Sequence, residues 1–204
     1  MLSFEHWLVV LSVCISCIGG YAYIRDTLKG TTKPNRVSWS LWALAPLVGT
    51  GAALAAGADV WVTIRTFLAG FIPLLVLLAS LWNRQSYWQT SAFDIGCGAL
   101  SLLAIVVWLA LGIPAYAIPI AALGDFFAAF PTLIKAWKYP DTETGVIYLT
   151  SLISVLLVLP SIGVWNLENS SFQIYLIVVN IMLLIAVYRK KILNLVWRNF
   201  ERIS

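Results

Sequence analysis

The sequence predicts an all-α integral membrane protein. It reads as seven transmembrane helices in a 3+1+3 parallel-repeat arrangement, with the N-terminus outside and the C-terminus cytoplasmic. Three observations predict this. The 204-residue chain is 61% hydrophobic and only 11% charged, against roughly 45–50% and 25% in soluble domains. Its apolar residues fall into seven runs, each near the length that crosses a bilayer. Its basic residues gather on alternate connections between those runs. The length suits one compact bundle rather than a bundle with an added soluble domain.

A helix needs about 20 apolar residues to cross the hydrocarbon. The runs are 6–24, 38–56, 60–82, 92–112, 114–136, 145–163 and 171–188. None shows the alternation of a barrel strand. All are too uniformly apolar for amphipathic soluble helices. The first follows "MLSFEHW", which carries Glu5 and no positive n-region, so it is expected to stay as a helix rather than be cleaved. The fourth and fifth are separated only by "GIP", Gly112 to Pro114. Proline is well tolerated in a first turn, so a tight turn and a restart at Pro114 are expected.

Lysine and arginine accumulate on the cytoplasmic side. Arg25, Lys29, Lys33 and Arg36 join helices one and two. Arg84 joins three and four, and Lys135 and Lys138 join five and six. Arg189, Lys190, Lys191, Arg198 and Arg202 lie in the tail. That places twelve of the thirteen basic residues on one side, leaving only Arg65. An odd number of helices is needed to put the tail there with the N-terminus opposite. The expected parts are a first triple-helix bundle (1–88), an inverting linker helix (89–113), a second bundle (114–188) and a cytoplasmic tail (189–204). Within the tail, Ile192, Leu193, Val196, Phe200 and Ile203 recur at helical spacing between basic residues. This predicts a short amphipathic helix lying on the anionic inner leaflet.

The net charge of +4 is not a nucleic-acid signature, because the basic residues sit between apolar runs. The expected partners are the lipid bilayer and a small-molecule solute, with no nucleic acid. Homo-oligomer formation stays open. His6 is the only histidine, so no His-based metal or nucleophile site is expected, and no cofactor. Cys14-x-x-Cys17 and Cys97 lie inside apolar runs, where packing thiols outrank a redox pair.

A shift of 109 residues aligns residues 21–42 with 130–151. Tyr21 meets Phe130, Lys29 meets Lys138 and Trp39 meets Tyr148. Each segment leaves a helix through a basic end, crosses a short polar turn and enters the next helix with aromatic and hydroxyl residues. The shift makes helices one to three and five to seven parallel repeats, with helix four inverting between them. Such a plan places a binding site at the repeat interface near midplane.

"FPTLIKAWKYPDTETG" resembles the PQ-loop, through Phe130, Pro131, Lys135, Lys138, Thr142 and Glu143. Thr132 stands where glutamine is usual, and Ala22 stands for the proline in the first repeat. With the 3+1+3 plan, the whole chain is similar to the MtN3/SWEET and PQ-loop superfamily. That resemblance implies small-solute transport by alternating access, through a cavity lined by both bundles. Sugar-carrying SWEETs use an asparagine on the third and on the seventh helix. Asn180 fits the seventh, while the third has Phe71 and Pro73 at that depth.

Polar residues inside the spans are the candidate site. Asp125 lies near the middle of 114–136, where a carboxylate costs roughly 2.5–3.5 kcal/mol and should face the bundle interior. It is the candidate for proton coupling and for binding a cationic or hydroxylated solute. A structural hydrogen bond is the alternative. The repeat shift pairs it with Ser16. Asn180 lies at a matching depth, to bond a solute or to hold two helices together. Trp42 is a full turn inside helix two, as a solute wall or part of an aromatic belt. Ser151 and Ser154 either face the cavity or bond back to their own helix. Pro131 and Pro46 are hinge candidates, since proline frees a carbonyl and kinks a helix. Arg65 is expected to pair with Asp59 or to guard the outer mouth. Asp94 is expected to complement the dipole of helix four.

Rival classes remain. "ALGDF" at Asp125 and "FD" at Asp94 are similar to motifs of intramembrane aspartyl proteases, but two acids must share one site. Here they lie about 15 Å apart in depth at 1.5 Å per residue, so no enzyme is expected. A non-transporting seven-helix receptor and a vitamin or nucleoside facilitator of the nicotinamide-riboside type share the architecture. The ten tryptophans keep the facilitator among the rivals, because a base or ring can stack on them.

Overall fold

The computed structural model describes residues 4–55, 57, 60–111, 114–162 and 164–203. Among these residues it is all-helical. Seven α-helices follow in order: α1 (Phe4–Leu28), α2 (Arg36–Ala55), α3 (Val60–Trp82), α4 (Ala92–Leu111), α5 (Pro114–Lys138), α6 (Val146–Val158) and α7 (Leu167–Ile203). Short 3₁₀ turns lie at Arg84–Ser86, Pro140–Thr142 and Leu159–Ser161. Five segments are long and apolar enough to cross a membrane: Phe4–Leu28, Arg36–Ala55, Thr63–Trp82, Pro119–Lys138 and Ser170–Leu193. Shorter apolar segments, Ala92–Trp108 and Val146–Ser161, come from α4 and α6.

The helix ends follow local chemistry. α1 outlasts its apolar run and stops at Gly30, whose φ of 80° only glycine adopts easily. There Gly30 N–H donates to the Thr27 carbonyl (3.0 Å) and Thr31 N–H to Asp26 (3.1 Å), a Schellman closure. Asn35 opens α2 by accepting from the backbone N–H of Val37 (3.1 Å) and Ser38 (3.3 Å). Asp94 accepts from Ser91 N–H at 2.8 Å while Ser91 Oγ accepts from Asp94 N–H at 3.2 Å. That capping box opens α4, as the dipole argument expects.

Two boundaries depart from the sequence expectation. The sixth run continues to 163, but α6 stops at Val158 and tightens into Leu159–Ser161. Pro160 has no N–H to continue the ladder. The tail is not a separate helix after the seventh span, because α7 runs unbroken to Ile203. Residues 171–204 contain neither glycine nor proline, so nothing in the chain stops the helix at 188. The tail side chains beyond Leu193 lie outside the described residues.

The packing order is the same in two sets of three helices. α3 packs against both α1 and α2, and α7 packs against both α5 and α6. The two triplets meet where α1 lies on α6 and α2 lies on α5; α4 rests on α5 and, more lightly, on α2. Close approach needs small residues at these seams. A methyl group on Gly19 would lie 1.8 Å from Thr150 Oγ1, across α1 and α6. One on Gly70 would lie 2.9 Å from the Ala43 carbonyl, across α3 and α2. Tyr23, Trp39, Val76, Ala129, Tyr148 and Leu183 lie in the buried core, so all but α4 feed it.

Candidate functional site

Two polar clusters lie on the seam between the triplets. The first is built on Asp125. Its Oδ2 accepts a hydrogen bond from the Tyr175 hydroxyl of α7 at 2.5 Å. The Trp42 indole of α2 reaches the same carboxylate. Three helices therefore converge on the acid. An aromatic shell surrounds it: Phe126 sits 6.5 Å from Tyr175 and 4.8 Å from Phe130, and Phe172 lies 5.8 Å from Tyr175. A carboxylate in an apolar span has few ways to be satisfied, and donors from neighbouring helices are the cheapest.

The second cluster closes the basic end around Glu143, just before α6. Glu143 Oε1 pairs with Lys135 Nζ at 2.6 Å, and the two side chains are 0% and 1% exposed. Its Oε2 accepts from the hydroxyls of Tyr23 and Tyr148, each at 2.8 Å. Lys135 also donates to the carbonyls of Lys33 and, at 3.2 Å, Thr142. Its ammonium lies 5.1 Å over the Trp88 ring. Beside it, the Thr32 and Thr144 hydroxyls meet at 2.5 Å, and Thr144 donates to Asp26 at 2.9 Å. A buried ion pair survives only when its spare lone pairs and protons are also bonded, and here α1, α5, α6 and the α1–α2 connection supply those bonds.

Aromatic contacts join the two clusters. Tyr23 packs on Trp39 at 4.6 Å, and Trp39 meets Trp42 edge-on at 5.1 Å. Along the same path, Asn35 Nδ2, Ser38 Oγ, Trp39 Nε1 and Thr132 Oγ1 are buried without a hydrogen-bond partner. Their residues sit on the facing ends of α2 and α5, between the Lys33–Lys135 contact and the Trp42–Asp125 contact.

The residues singled out from sequence divide accordingly. Asp125 and Trp42 come together. Ser16 and Ser154 also meet, at 2.9 Å, but they bond one another, and Ser154 donates to the Ser12 carbonyl at 2.7 Å. They staple α1 to α6. Asn180 is buried and donates to the Leu176 carbonyl of its own helix at 2.7 Å. Pro46 and Pro131 both lie inside continuous helices, and Pro131 is fully buried. Asp94 bonds Ser91, not the Asp125 cluster. Arg65 is half-buried on α3, and its expected partner Asp59 lies outside the described residues. Cys14 and Cys17 are exposed free thiols on α1, while Cys97 is buried.

Tyr23, Tyr175 and the centrality of Glu143 were missed. Glu143 entered only as a position of the PQ-like turn. No sequence signal pairs Tyr23 with it across 120 residues. Tyr175 carried a weak signal, being a hydroxyl in an apolar run.

Scanned against family models, curated proteins and solved structures, the chain matches none.

Proposed function

We propose that this chain carries a small polar solute across a membrane by alternating access, as a divergent member of the MtN3/SWEET and PQ-loop superfamily. In this reading all seven helices span, the N-terminus is outside and the basic end is cytoplasmic. In it the two triplets are parallel repeats, a reading supported by α3 and α7 holding the same middle place in each. The observation that carries the reading is Asp125. It is an acid inside a span, bonded from α7 and approached by Trp42 of α2 at the seam between the triplets. Intramembrane acids in such places mark solute and proton pathways.

The Glu143 cluster is then the inner gate in its closed form. Opening it requires Lys135 to leave Glu143, and Pro131, one turn from Lys135, is the hinge. Pro46 serves α2 in the same way. A second reading, a vitamin or nucleoside facilitator, is favoured by the aromatic shell of Trp42, Phe126, Phe172 and Tyr175, on which a ring would stack.

Uptake into liposomes, with sugars, amino acids and nucleosides supplied under a pH gradient, tests both readings. Asp125→Asn should remove the pH dependence and slow uptake by about tenfold or more, the scale of one charge-assisted hydrogen bond. An unchanged pH profile removes Asp125 from the coupling role. Movement of nothing in the panel counts against carriage itself.

A further inference from the structure

A second feature lies at the basic end, away from the seam. Arg36 at the start of α2, Leu81 at the end of α3, and Arg84 and Tyr87 in the following connection line an open cleft of about 370 Å³. Arg36 is held in place there. Its Nε donates to Ser80 Oγ at 3.1 Å and its Nη2 to the Ser80 carbonyl at 2.6 Å. The guanidinium lies 4.8 Å over the Tyr87 ring. A guanidinium has five N–H donors, so three remain after Ser80 is served.

Neither arginine has an acid. The two ion pairs among the described residues are Arg25–Asp26 and Lys135–Glu143. Two cations therefore face one cleft with donors to spare and no counter-charge. A planar guanidinium fork matches phosphate oxygens in charge and shape. The cleft also has an apolar shoulder at the end of a membrane-length helix: Trp82 is 86% exposed, and Leu81 and Tyr87 are about half exposed. A free anion has no use for that shoulder, whereas an acyl chain does.

We propose that this cleft binds a phosphate group, that of an anionic phospholipid, with Arg36 and Arg84 on the headgroup and the acyl chains along Leu81 and Trp82. The site is independent of solute carriage. Native mass spectrometry of the full chain in detergent tests it, with phosphatidylglycerol and phosphatidylcholine at equal concentration and inorganic phosphate in a separate arm. Phosphatidylglycerol should be retained over phosphatidylcholine by about thirtyfold, each arginine contributing about fivefold. Arg84→Gln should lose about fivefold. Its side chain makes no hydrogen bond or ion pair among the described residues, so its fold is safe and its melting midpoint should not move. The Arg36→Gln/Arg84→Gln double variant should lose the preference. Arginine-dependent binding of inorganic phosphate without lipid preference supports the anion site and makes free phosphate its source. Equal retention of both lipids with no phosphate effect overturns the proposal, as does a preference that survives the double variant.

Discussion

Glu143 shows how much one side chain can hold when its environment is dry. Its two oxygens serve Lys135, Tyr23 and Tyr148. Removing one partner of a buried pair costs about 3–5 kcal/mol, because the other charge stays buried and unpaired. Glu143→Gln should therefore lower the melting midpoint in detergent sharply. Adding Lys135→Met removes the stranded ammonium and should restore much of the loss. A Glu143→Gln variant as stable as the double variant would show that Lys135 finds another home. The contrast between Asp125 and Glu143 explains what was legible at this scale. An acid inside an apolar run announces itself, since no ordinary surface helix places one there. An acid in a polar turn between two helices reads as solvated, and only the fold turns it inward. Asn180 was legible as buried, but its bond to Leu176 is local, and residue type alone did not distinguish that from a bond to solute.

Helix positions were the most legible part of the chain, because apolar length and Lys/Arg placement are strong one-dimensional signals. The ends were less so. Pro160 shortened α6, and the absence of any breaker joined the tail to α7. Neighbouring helices were not legible, since uniform apolarity gives no stripe to read. Glycine contacts supply that information instead. Gly19 lets α1 lie directly on α6, where any Cβ would collide with Thr150. Gly19→Ala should destabilise the bundle by about 1–3 kcal/mol, the usual cost of overpacking. Thr150→Ala should recover part of this by removing the colliding hydroxyl. Thermal melting of the two single variants and the double variant checks the coupling; strictly additive losses would mean that the helices separate rather than clash. Gly70 differs, because its added methyl would meet backbone at Ala43 and no side-chain deletion relieves that.

Across the whole molecule, the basic end draws both triplets together through contacts far apart in sequence. Thr32 and Thr144, 112 residues apart, touch through their hydroxyls. Cysteines at both positions should form a disulfide on mild oxidation, read as an intramolecular cross-link by mass spectrometry. In the proposed cycle the cross-link should stop solute uptake almost completely, and reductant should restore it. Uptake unaffected by a complete cross-link would mean that this end does not need to open. The seven helices were legible from apolar length and charge, but the seam was not, because both clusters depend on partners that no periodicity links. The Asp125 cluster also has a consequence for how the protein is made. Chains emerge N-terminus first, so Trp42 is already present when α5 enters the bilayer. Tyr175 lies 50 residues beyond Asp125 and is not. In the proposed topology α5 then carries its acid into lipid with only α2 to receive it. Its insertion is thus provisional, and completed only when α7 arrives to hand Asp125 its last donor.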